Sequence, residues 1–142
     1  MDVNTFPVNR VLVVADWAID QDAVIAACRR RASDGRATFA LVVPAWLHGL
    51  DWLGDPYASR PCAARQVKAL ERIATGAGLH LELAAVGDPD PTNAIDDARA
   101  AFPATEILMC GRASRLNAFR LANRVRRASG LPVQEVAIPA RD

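Results

Sequence analysis

Five short candidate strands recur along the chain: the apolar or largely apolar runs Val11–Ala15 and Thr38–Val43, then His80–Val86, which starts with alternation and then turns apolar, the apolar run Ile107–Cys110, and Leu131–Ile138. Each is too short for a helix and several are β-branched, as strands are. Segments with apolar residues at helical spacing separate them. Val24, Ile25, Cys28 and Ala32 follow an N-cap at Asp20 or Asp22, with Gly35 as the stop. Val67, Leu70, Ile73 and Ala77 mark a helix over Ala63–Ala77. Ile95, Ala98 and Phe102 follow the turn Gly87-Asp88-Pro89-Asp90-Pro91, where Asp90 is placed as N-cap and Pro91 as first helical residue. Leu121, Val125 and Ala128 give a last, basic helix over Leu116–Ala128, ended by Gly130. Strict alternation of this kind implies a five-stranded parallel sheet with helices on both faces, a three-layer α/β/α domain with right-handed crossovers.

The fourth run, Ile107–Cys110, has no polar residue and stops at Gly111. That suits a strand buried on both faces. In such sheets the turn after a strand's carboxyl end is where ligands usually sit. Whether the turn at Gly111 can hold a phosphate therefore decides much about function.

At 142 residues, with 51% apolar residues and a formal charge of +1, the chain is expected to be one globular domain. The balanced charge argues against a dedicated nucleic-acid binder. No apolar run nears the ~18 residues that span a bilayer, so no membrane contact is expected. The first ten residues lack the marks of a signal peptide, and Cys28, Cys62 and Cys110 form no CxxC. A cytoplasmic location is the expectation. No pattern pairs a nucleophile with a base, and His48 and His80 have no partner at metal-ligand spacing, so nothing marks an enzyme or a metal site.

Three segments together resemble the universal stress protein family. Val11–Ala27 is similar to that family's first strand, terminal aspartate and Ala-rich helix; Gly87–Ala98 to its G-D-P turn and helix; and Ala104–Ile138 to its fourth strand and closing P-V strand. The resemblance implies a flavodoxin-like fold with strand order 3-2-1-4-5. It also implies a homodimer paired through the C-terminal strand Pro132–Ile138. Val133, Val136 and Ile138 agree with this, since an apolar edge strand needs covering. Some members of the family bind ATP through a loop reading G-x-x-G, nine residues, then G-S or G-T, whose backbone amides wrap the phosphates. Here Gly111 matches the first glycine, Ser114 stands at the second, and Arg124-Val125 occupy the closing pair. Asp16 and Val43 keep the positions of that family's strand-one aspartate and of its residue that contacts adenine through its backbone.

A regulatory, stress-related binding protein without ATP as cofactor is therefore expected. The alternatives are an ATP- or AMP-binding member with a reduced site, and a sensor of a small anionic ligand in the same crevice. Asp16, Trp17, Val43, Gly111, Arg112, Ser114 and Arg115 would line that crevice. Arg112 and Arg115 precede the last helix and are suited to bidentate phosphate contacts. The bland reading makes them, with Arg120, Arg124, Arg126 and Arg127, a solvated helix face. Trp17 and Trp46, each just past a strand's carboxyl end, either stack a flat ligand, fill the crevice themselves or pack as ordinary loop residues. Asp16 either helps hold a metal–phosphate, or caps the first helix or bonds neighbouring backbone amides.

Overall fold

The computed structural model describes residues 8–47, 54–117 and 120–141. Strands β1 (Asn9–Ala15), β2 (Ala37–Pro44), β3 (Leu81–Gly87), β4 (Glu106–Gly111) and β5 (Val133–Ala137) form one sheet in the order β3-β2-β1-β4-β5. All four pairings are parallel. The helices are α1 (Gln21–Ser33), α2 (Arg60–Gly76), α3 (Pro91–Ala101), α4 (Ala113–Asn117) and α5 (Leu121–Ser129).

The period-two alternation of strands divides the core into two layers. Val11, Val13 and Ala15 of β1, Phe39, Leu41 and Val43 of β2, and Leu108 and Cys110 of β4 pack with Val24, Cys28, Val67 and Leu70 of α1 and α2. Leu12, Val14, Ala40, Val42, Ile107 and Met109 turn the other way, against Ile95 and Ala98 of α3, Leu116 of α4, and Leu121 and Val125 of α5. Burial on both faces explains why the central strands read as unbroken apolar runs. Cys28 and Cys110 are buried free thiols; burial pushes the Cys28 thiol up to about 12 and raises Cys110 further.

Local chemistry sets the element ends. The Asp20 carboxylate accepts the Ala23 amide at 2.9 Å and Asp90 accepts that of Thr92 at 2.9 Å, so both helices are capped by side chains. Gly130, at φ 71°, ends α5 in the left-handed conformation. Gly87 is required by close approach: a Cβ there would lie 2.6 Å from Ala94 Cβ and 2.7 Å from Val42 Cγ2. Arg31, in the last turn of α1, donates to both carboxylate oxygens of Glu106 at 2.6 and 2.8 Å, fastening the helix to the start of β4.

Two expectations change. The single helix expected over Leu116–Ala128 is two helices, with Arg120 between them at φ 49°. The helical phase gives the reason. Residues five apart differ by about 140° around a helix, so one straight helix cannot turn both Leu116 and Leu121 to the core, yet both are buried. Breaking at Arg120 resets the phase. Arg115 accordingly lies inside α4 and does not precede the helical region. The Ala63–Ala77 helix also starts earlier, at Arg60, with Pro61 in its first turn.

At the sheet edge, Val133 and Ile138 are buried within the chain itself, while Gln134, Glu135 and Ala137 are exposed. The closing strand is thus less apolar on its open sides than its sequence suggests.

Candidate functional site

The carboxyl ends of β1, β2 and β4 converge on Asp16. Its amide continues the sheet by donating to the Cys110 carbonyl at 3.1 Å, and its side chain is fully buried. Oδ1 accepts the Ala18 amide at 3.1 Å, an Asx-type turn that shapes the β1–α1 loop. Of the two roles weighed for Asp16, bonding neighbouring amides is seen; the α1 cap belongs to Asp20. Arg112 Nε and Arg115 Nε each lie 3.9 Å from Asp16 Oδ2. At that distance these are ion pairs, longer than hydrogen bonds. Burial lowers the Arg115 pKa from its ordinary value; Asp16 opposes this and Arg112 adds to it.

The two tryptophans meet here. Trp17 Nε1 donates to the Trp46 carbonyl at 2.7 Å, joining the loops after β1 and β2. The Arg115 guanidinium lies 4.5 Å from the centroid of the Trp46 ring and donates to the Leu47 carbonyl at 3.4 Å. The space between the loops after β1, β2 and β4 is thus crossed by an Asp16–Arg115–Trp46 stack. His48 and Trp52 lie outside the described residues.

The turn after β4 has a definite geometry. From Gly111 the chain enters α4 at once, and the amides of Arg115 and Leu116 both donate to the Arg112 carbonyl at 2.9 Å. Two amides within the segment where a phosphate-wrapping loop would need them are already taken up by a helical turn. A Cβ at Gly111 would meet Leu116 only at ordinary contact distance, 3.4 Å. Ser114 is exposed on α4. Val43 is fully buried within β2, opposite Val86 of β3. The structure therefore joins Asp16, Trp17, Arg112 and Arg115 into one cluster, leaves Ser114 at the surface and puts the Val43 side chain in the core. No group of three or more His, Cys, Asp or Glu suited to a metal is found among the described residues.

Gln66 was missed by sequence reasoning. It is completely buried on α2, and its Nε2 donates to the carbonyls of Asp16 at 3.3 Å and Ile19 at 3.2 Å. Its Oε1 accepts from Gln21 Nε2 at 2.9 Å and Arg141 Nη1 at 3.0 Å. The C-terminal segment follows the same loop: Arg141 N donates to the Ala18 carbonyl and Asp20 N to that of Pro139, at 2.8 and 3.0 Å. A signal was available, because Gln66 stands three residues after Ala63 and four before Leu70, on the buried face.

No protein-family model matches the sequence, and no curated protein matches it. Solved structures do match. A protein from the universal stress protein family of Burkholderia pseudomallei superposes with a TM-score of 0.64 at 18% identity, over 90% of this chain and 95% of that one. A universal stress protein in complex with cAMP superposes with a TM-score of 0.58 at 18% identity, over 93% of this chain and 99% of that one. With strand order β3-β2-β1-β4-β5 throughout, this chain has the fold of the universal stress proteins.

Proposed function

We propose that the chain is a regulatory, stress-related binding protein whose crevice does not take ATP. The observation that carries this reading is the Arg115 guanidinium over Trp46 and beside Asp16, in the space between the sheet's carboxyl-end loops. A triphosphate would have to displace that stack and would find the Arg115 and Leu116 amides already bonded. Thermal denaturation with ATP, with and without Mg²⁺, tests it. We expect no shift up to millimolar nucleotide; stabilisation of ~2–3 kcal/mol at saturation would overturn the reading.

One observation favours a second reading. Arg112 and Arg115 bring two guanidiniums to the carboxyl end of β4, and paired guanidiniums suit bidentate contact with a small anion. A single phosphate asks less of the turn than a triphosphate, and one structural neighbour was solved with cAMP. In the same assay, stabilisation by inorganic phosphate or cAMP but not ATP would select the small-anion sensor.

We further infer a homodimer through Pro132–Ile138. β5 is an edge strand whose outer backbone groups need covering or pairing. Sedimentation velocity is expected to give a dimer; a monomer across micromolar concentrations would contradict it.

A further inference from the structure

A second cavity lies away from the Asp16 cluster and shares no residue with it. Along β3, Ala84 and Val86 pack toward α2, while Leu83, Ala85 and Gly87 turn the other way, toward α3. Gly87 sits tight against Ala94 in the first turn of that helix. Beyond this contact a cleft of about 390 Å³ opens, floored by Val42, Leu83 and Ala85 and walled by Ala98 and Ala101 of α3. Alanine at 85, 98 and 101, where longer side chains would close it, keeps the space open. Its size falls in the range of ~300–1,000 Å³ that holds small molecules.

Tyr57, Arg60, Asp88 and Asp97 line the cleft as well. Tyr57 is 53% exposed, and among the described residues Val8 alone is another large apolar side chain left in solvent. The Arg60 guanidinium lies 5.3 Å from the centroid of the Tyr57 ring. Asp88 Oδ1 accepts the Asp90 amide at 2.9 Å. The three charged groups share one cleft, yet among the described residues none of them is in an ion pair. The cleft therefore offers a cation, two carboxylates and an aromatic ring beside an apolar floor.

We propose that this cleft binds a free α-amino acid with an apolar side chain. The ligand's side chain lies on the floor of Val42, Leu83 and Ala85, its carboxylate meets Arg60, and its ammonium meets Asp88 and Asp97. Charge complementarity selects this class. A zwitterion uses both signs of the lining at once, whereas a hydrocarbon would leave all three charged groups without partners. One positive charge against two negative ones disfavours a nucleotide or another polyanion.

Titration of the full chain with L-leucine, followed by amide ¹H–¹⁵N shifts, tests this. Saturable shifts at Ala85, Gly87, Ala98 and Ala101 are expected, half-complete below about 10 mM, with the amides of Gly111–Arg115 unmoved. Glycine, 3-methylbutylamine and 4-methylpentanoate lack leucine's side chain, carboxylate and ammonium in turn. Each should bind more weakly, by roughly two- to fivefold where one exposed ion pair is lost. R60Q should erase leucine's advantage over the amine, and D88N/D97N its advantage over the acid. D88N keeps the oxygen that accepts the Asp90 amide, and the dispersion of the amide signals confirms that both variants fold. The comparison of the four compounds on the wild-type chain needs no variant. The proposal is overturned by the absence of saturable shifts at the cleft, by shifts centred on Gly111–Arg115 instead, by an analogue that binds as tightly as leucine, or by a variant that weakens leucine and its analogues alike.

Discussion

Asp16→Ala is expected to destabilise the protein by about 3–5 kcal/mol, the range for removing one partner of a buried ion pair. The Asp16 side chain is fully buried, and that of Arg115 is only 17% exposed. Without the carboxylate, Arg115 keeps its charge in a place where burial already disfavours it. Arg112, one-third exposed, is less buried than Arg115 and loses less. The Ala18 amide also loses its acceptor. Asp16→Asn, which retains a carbonyl oxygen for that amide, should fall between Ala and wild type. Urea denaturation measures both. A loss under about 1 kcal/mol for Asp16→Ala would mean that the cluster behaves like a solvent-exposed ion pair.

Gln66→Leu should cost about 2–4 kcal/mol, because two buried carbonyls lose their donor and each such loss is worth roughly 1–3 kcal/mol. The substitution fits the volume and suits the apolar face of α2, so hydrophobicity alone predicts a neutral or stabilising change. The sign therefore separates the two views. The effect should also be local. Gln66 joins α2 to the Asp16–Ile19 loop and to Arg141. Hydrogen exchange should accelerate at Asp20 and Arg141, whose amides cross between the loop and the C-terminal segment. Unchanged stability together with unchanged exchange there would refute a structural role for this hub.

Much of the fold was legible because it rests on local, periodic signals. Unbroken runs such as Ile107–Cys110 mark strands covered on both faces, and Asp90-Pro91 and Gly130 mark helix ends by their own backbone chemistry. The break at Arg120 was legible in principle from the phase of Leu116 against Leu121, but the even run of arginines hid it. The site was legible only in its parts. Asp16, Trp17, Arg112 and Arg115 could be named as residues near strand ends. That Arg115 lies over Trp46 depends on where the β2 and β4 turns meet, and no spacing encodes that. Gln66 was obscured by the apolar rhythm around it. The C-terminal contacts are mainly backbone bonds of an aperiodic segment, which leave no mark in side-chain pattern.

The claim that the crevice is closed to ATP by the chain's own side chains is tested most directly by a crystal structure from millimolar ATP and Mg²⁺. We expect the Arg115 guanidinium to remain over Trp46 beside Asp16, with no nucleotide between the strand ends. A triphosphate held against residues 111–115, with Arg115 swung away from Trp46, would contradict it.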